Sequence, residues 1–206
     1  MNYKTFQDRF QTFGIFSIDQ VRAFDPGFDR GNFRTWMQKG YLLRLRRGWY
    51  AFRDCLYQSG MGEVVASRIY SPSYLSLEYA LARYELIPES VVQWTSVTSL
   101  KTASFANAFG EFSYRSLKPE LMFGYRVLTA QESRQAIYLA TPEKALLDYL
   151  YLSTHLQTES DMDYLRLDAD VLREICSTDV LESFLERFHC HSLEARVSVM
   201  RKVYGL

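Results

Sequence analysis

Between Phe16 and Phe52 the chain is punctuated so closely that few folds can accommodate it. Ser17 is an N-cap residue, Gln20 three positions on completes a capping box, and Phe16 with Val21 occupies the staple positions around them. The short helix begun there must end near Asp25-Pro26-Gly27, because proline lacks the amide that would continue it and glycine turns easily. A second start follows at once. Asp29 caps, Phe28 and Phe33 staple, and the helix is expected from Arg30 to about Lys39, with Gly40 as its stop. Two strands over 41–45 and 49–52 flank Arg46-Arg47-Gly48, where Gly48 supplies the permissive backbone of a tight hairpin. Upstream, Tyr3, Phe6, Phe10 and Phe13 recur at helical spacing, which predicts an amphipathic helix over 3–13. Helix, helix, turn, helix and hairpin is the order of a winged helix-turn-helix.

Charge separates this head from the rest. Residues 1–53 hold ten Lys and Arg against four Asp and Glu, a balance of +6; the remainder holds fourteen against twenty, a balance of −6. The net charge of zero is therefore two opposed halves, and a basic head points to an anionic partner. With 206 residues, 48% of them hydrophobic and 23% charged, the chain has ample apolar material for a core, which excludes disorder as a description of the whole. No run reaches the roughly 18–20 apolar residues of a membrane span, and the opening segment lacks the apolar core of a signal peptide. Cys55, Cys176 and Cys190 are odd in number and widely spaced, the pattern of reduced thiols in a cytoplasmic protein.

At about 100° per residue, Phe33, Trp36, Met37 and Gly40 fall on one side of the third helix. Gly31, Arg34, Thr35 and Gln38 face the other way, flanked by Arg30, Asn32 and Lys39. A carboxylate-free face of Arg, Thr and Gln suits a recognition helix, since Arg and Gln make bidentate contacts with base edges and Lys or Thr contacts phosphate or the thymine methyl. Gly31 would let the backbone approach DNA closely. In the hairpin, alternation puts Arg44 and Arg46 on one strand face with Arg47 at the tip, a basic wing for the DNA backbone or minor groove. The expected DNA-binding set is thus Arg30, Asn32, Arg34, Thr35, Gln38, Lys39, Arg44, Arg46 and Arg47.

A boundary is expected over 53–62, where a strand-like run gives way to small and polar residues, dividing a head of residues 1–57 from a body of residues 58–206. In the body, 62–70 and 75–86 read as helices, with Pro72 and Pro88 as punctuation. Strand-like runs at 91–98, 111–117, 125–128 and 136–139 predict a mainly antiparallel sheet. Thr141 caps a helix with Pro142 at its first position, and the last fifty residues are helical by pattern, ending in 181–188 and 193–203. The fold class is α+β.

Three stretches carry a resemblance to a known family. They are Gly40-Tyr41-Leu42-Leu43-Arg44-Leu45-Arg46-Arg47-Gly48-Trp49-Tyr50-Ala51, then Tyr74-Leu75-Ser76-Leu77-Glu78-Tyr79-Ala80-Leu81 with Leu86-Ile87-Pro88 after it, then Ala140-Thr141-Pro142-Glu143-Lys144-Ala145-Leu146-Leu147-Asp148. In this order they resemble the AbiE-type antitoxins of type IV toxin–antitoxin, abortive-infection modules, over about residues 14–150. The resemblance implies a winged helix-turn-helix repressor of its own operon that binds operator DNA. It also implies a second domain that neutralises a nucleotidyltransferase toxin; no cofactor is expected. No short motif fixes the toxin-contacting residues.

Other constellations are better read as structure. Asp161-Met162-Asp163 and Asp168-Ala169-Asp170 have the D-x-D spacing by which nucleotidyltransferases hold magnesium, but the chain has no Gly-Ser dipeptide for a triphosphate. They read as solvated carboxylates with Asp168 or Asp170 as an N-cap. His189-Cys190-His191, with Cys176 upstream, is contiguous where zinc ligands are spaced, so it reads as a helix junction. Glu143 suits the first turn of its helix, and Lys144 with Asp148 can pair across one turn. No nucleophile–base motif is present, so no catalysis and no metal site is expected. Two alternatives remain, a magnesium-dependent nucleotide-handling enzyme tethered by the head, and a ligand-sensing transcriptional regulator.

Overall fold

The computed structural model describes residues 1–131 and 133–205. Residues 3–57 build the first sheet and its helices. Helix α1 (Tyr3–Phe10) is capped by Asn2 and runs into a 3-10 turn at Gln11–Phe13, so the predicted single helix over 3–13 tightens in its last turn. Strand β1 (Ile15–Ser17) follows, then α2 (Ile18–Phe24), α3 (Gly31–Gln38), β2 (Leu42–Arg46) and β3 (Trp49–Phe52). The capping box is made as spaced: the Gln20 amide donates to Ser17 Oγ at 3.1 Å and the Ser17 amide donates to Gln20 Oε1 at 2.8 Å. β1, which sequence reasoning leaves unassigned, adds antiparallel to β3, giving the sheet order β1-β3-β2. Its anchor is the hairpin tip, where the Ile18 amide donates to Gly48 O at 2.8 Å.

The core of this part is aromatic. Phe6 of α1 lies within 6.0 Å, centroid to centroid, of Phe10, Phe16, Phe28, Phe33, Trp36 and Phe52, so β1, α3, β3 and the loop before α3 all meet one ring of α1.

After a 3-10 turn at Arg53–Tyr57 the second part begins with α4 (Met61–Ile69), β4 (Ser73–Leu75) and α5 (Leu77–Arg83). Strands β5 (Trp94–Thr98), β6 (Ala103–Asn107), β7 (Gly110–Ser116), β8 (Tyr125–Thr129) and β9 (Ala136–Ala140) complete a six-stranded sheet, ordered β6-β7-β5-β4-β9-β8. The sheet is mixed: β6/β7, β5/β4 and β9/β8 pair antiparallel, β7/β5 and β4/β9 parallel. Helix α6 (Pro142–Leu152) is capped by Thr141, with Pro142 at its first position. Four helices follow: α7 (Glu159–Asp163), α8 (Ala169–Ile175), α9 (Thr178–Phe188) and α10 (His191–Tyr204). The chain is thus mixed α+β with one three-stranded and one six-stranded sheet.

The helix predicted over 75–86 is shorter than its pattern. Ser73–Leu75 is a strand, and the chain turns at Leu77, which is buried with φ +58°. Tertiary hydrogen bonds impose the turn: the Ser76 amide donates to Thr95 O at 3.1 Å and the Tyr79 amide to Thr95 Oγ1 at 2.9 Å.

At the middle of the second part lies a charged pair without solvent. Lys144 and Asp148, one turn apart on α6, are both fully buried and ion-paired. The Asp148 carboxylate also accepts from Tyr74 Oη and Ser76 Oγ, each at 2.9 Å. The Lys144 ammonium faces the rings of Phe123 and Phe188 at 4.9 and 4.8 Å. Burial pushes the carboxyl up and the amine down from their ordinary ranges, and the partner's charge opposes each shift. Removing one partner leaves the other buried and uncompensated. Asp148→Ala should therefore cost about 3–5 kcal/mol in chemical denaturation, and Lys144→Met combined with Asp148→Leu should cost less than the two single changes summed. A double-mutant cycle with no coupling would contradict this account of the core.

Candidate nucleic-acid interface

Helix α3 is fixed by one side. Phe33 and Trp36 are buried, and they meet Phe6 at 5.8 and 4.7 Å. Phe28 meets Phe33 at 4.8 Å, as the staple positions require. The Asp29 carboxylate accepts the Gly31 amide at 2.8 Å and so holds the helix start. With Phe33 and Trp36 turned inward, rotation along the helix turns Arg34, Thr35 and Gln38 outward. All three are exposed, as are Arg30 and Lys39, while Asn32 is half-buried. The Thr35 hydroxyl donates back to Gly31 O at 3.4 Å, which leaves its methyl group and both oxygen lone pairs for an outside partner.

Arg30, Arg44 and Arg47 converge from α3's start, from β2 and from the hairpin tip. They line a depression of about 340 Å³ floored by Ile18, Gly48 and Tyr50, with Asp19 as its one carboxylate. Gly48 holds φ +84°, the left-handed backbone that lets the chain reverse directly after Arg47. Among the described residues, none of Arg30, Arg34, Lys39, Arg44 and Arg47 takes part in an ion pair. The result is an unneutralised cationic surface extending from the exposed face of α3 to the hairpin tip.

Arg46 does not belong to it. The register of β2 on β3 shifts between Arg44 and Arg46, so the expected alternation fails at this bulge and the two arginines face different ways. Arg44 is exposed, whereas Arg46 turns toward the second sheet. Its Nη1 donates to Ile69 O at 2.6 Å, at the end of α4, and its guanidinium lies over the rings of Tyr70 and Phe105 at 4.7 and 4.5 Å. Asn107 Nδ2 donates to Leu45 O at 3.3 Å beside it, so β2 docks along β6. Gln135 Nε2 donates to Phe13 O and makes a second tie between the two parts. Nothing in the one-dimensional pattern announces the bulge; a run of three arginines in four positions reads as one basic patch.

The carboxylates and histidines read from the sequence as structural have the following partners. Asp161 closes a capping box, accepting the Gln157 and Thr158 amides at 3.0 and 2.8 Å, and those bonds hold its carboxyl below the usual range. Asp168 caps α8, accepting the Asp170 and Val171 amides at 3.0 Å each, and Asp170 pairs with Arg173. The buried Glu143 accepts the Ser177 amide at 3.0 Å, an acceptor at the start of α9 that sequence reasoning does not foresee. His191 contacts Glu194 at 3.0 Å while His189, at φ +45°, ends α9; among the described residues no three His, Cys, Asp or Glu side chains group as metal ligands. No helix of the described residues is long and apolar enough to cross a membrane.

No protein-family model matches the chain, and no curated protein matches it in sequence.

If Arg46 ties the two sheets together through planar stacking, Arg46→Ala should lower stability by about 1–3 kcal/mol in urea unfolding. Arg46→Lys should not restore it, because an ammonium cannot lie flat between two rings and reach the carbonyl at once. Full recovery by lysine would contradict the stacking.

Proposed function

We propose that this chain is a DNA-binding transcriptional repressor whose residues 1–57 form a winged helix-turn-helix. The observation that carries the reading is the unpaired cationic surface of α3 and the hairpin. Arg34, Thr35 and Gln38 stand out from a helix anchored by two aromatic rings on its other side, and Arg30, Arg44 and Arg47 gather beside them with no ion-pair partner among the described residues. The element order supports it. A helix, a short strand, two helices and a two-stranded hairpin, with the short strand added to the hairpin's edge, is the layout in which α3 lies in a major groove and the hairpin beside it. In this reading Arg34, Thr35 and Gln38 face base edges, with Asn32 at their margin. Arg30, Lys39, Arg44 and Arg47 hold phosphates, and Arg46 is a structural tie.

The remainder of the proposal rests on the resemblance of the three stretches to AbiE-type antitoxins: the repressor acts on its own operon, and residues 58–206 neutralise a nucleotidyltransferase toxin. No observation favours a magnesium-dependent reading, since Asp161 and Asp168 are each occupied in capping a helix.

Titration of upstream duplex DNA at several salt concentrations tests the DNA reading. The logarithm of affinity should fall steeply with that of salt, and Arg44→Ala and Arg47→Ala should each flatten the slope by about 0.9 with equal effect on operator and scrambled DNA. Arg34→Ala or Gln38→Ala should instead cost about 1–3 kcal/mol on the operator and little on scrambled DNA. Binding indifferent to salt and to all four changes would end the proposal. For the antitoxin half, co-expression with the protein encoded beside this chain should relieve that protein's toxicity; toxicity unrelieved by the full chain would remove that half alone.

A further inference from the structure

The α1–α2 side of the head carries a hollow that the cationic surface does not use. It encloses about 470 Å³, within the roughly 300–1,000 Å³ range of small-molecule sites. Phe10 and Phe16 form its buried floor, while Phe13 and Phe24 stand as its walls at 48% and 55% exposure. Phe10 packs against both walls, 6.0 Å from Phe13 and, edge-on, 5.9 Å from Phe24, so the floor fixes the two exposed rings on either side of the hollow. Ala23, exposed between Gln20 and Phe24 on α2, contributes no bulk and keeps the slot open.

Its polar groups are few and of one kind. Arg9 is the single charged residue lining it, its guanidinium is held 4.4 Å over the Phe24 ring, and it makes no ion pair among the described residues. The Gln20 carbonyl is occupied by the Ser17 amide, so the group it can still offer is its amide N–H. One guanidinium and one amide, both donors, at the mouth of an otherwise aromatic slot fit a single carboxylate on an apolar body. A phosphate or nucleotide would bring more charge than one arginine balances.

We propose that this hollow binds a small apolar monocarboxylate, an acyl chain of about eight carbons or a phenylalkanoate, with the carboxylate on Arg9 and the apolar body among Phe10, Phe13, Phe16 and Phe24. The site stands on the lining residues alone and does not depend on the DNA reading.

Calorimetric titration of the full chain with octanoate and with 3-phenylpropionate tests it, with octanol as a matched uncharged probe. At least one of the two carboxylates should bind saturably, one per chain. Arg9→Gln should weaken that carboxylate about tenfold or more and leave octanol unchanged, and Ala23→Phe, which fills an exposed position, should abolish both. Circular dichroism of both variants should match the parent. Three results would overturn the proposal: no saturable carboxylate binding up to about 10 mM, affinity that survives both substitutions, or sedimentation showing that a second copy of the chain covers the hollow.

Discussion

The six-stranded sheet depends on a pair of charges that water cannot reach. Strand β4 is three residues long, yet it joins the sheet's two halves, pairing antiparallel with β5 and parallel with β9. A ladder so short cannot hold its place by its own hydrogen bonds. What holds it is Asp148, which accepts from Tyr74 in the middle of β4 and from Ser76 just beyond it. Desolvating that carboxylate costs several kcal/mol, which its donors and Lys144 offset only when all three are in place. The same lysine is enclosed by Phe123 and by Phe188 of α9, so the pair fixes β4, α6 and α9 relative to one another. Glu143, one residue before Lys144, extends this to the start of α9 through the Ser177 amide.

What could be read from the sequence follows the reach of the interactions involved. The caps at Ser17, Thr141 and Asp168 close through bonds to residues three positions away, so spacing alone reveals them, whereas α3 begins at Gly31 with Arg30 as its N-cap and Asp29 bonding the Gly31 amide from one position further out. The inward side of α3 is legible for the same reason: Phe33 and Trp36 are three apart. Strands β1, β4 and β6 are not. Ile15–Ser17 and Ser73–Leu75 are too short to show alternation, and Ala103–Asn107 carries little strand propensity and relies on its hairpin with β7. The end of the predicted helix at 75 is likewise set from outside, by Thr95.

The candidate interface was legible to the same extent. Arg30, Arg34, Thr35, Gln38, Lys39, Arg44 and Arg47 are exposed where helical and strand geometry put them. Arg46 escaped because a bulge is a property of two strands, and only one of them is in view when a run of arginines is read. Its consequence reaches beyond one side chain. With Leu45 buried and Arg46 stacked on Tyr70 and Phe105, the hairpin is anchored on the second sheet and, through Tyr50 and Phe52, on the aromatic core, leaving Arg44 and Arg47 exposed. Any ligand of Arg44 and Arg47 therefore meets a hairpin whose rear is already anchored, and pays little entropy to order it.

The cations around α3 that take part in no ion pair among the described residues are a cost to the isolated chain, since like charges repel and Asp19 is the one carboxylate lining the depression of Arg30, Arg44 and Arg47. The body has six carboxylates in excess, but it spends its own arginines on internal work: Arg83 on Glu63, Arg201 on Glu182, Arg187 over the Phe123 ring. Charge has thus been sorted between the two parts instead of being cancelled across them. A surface kept electropositive in this way gains most from a partner that brings many regularly spaced negative charges, because each phosphate relieves repulsion as well as adding attraction. A protein partner with scattered carboxylates would relieve only part of it, and the duplex proposed above would relieve more.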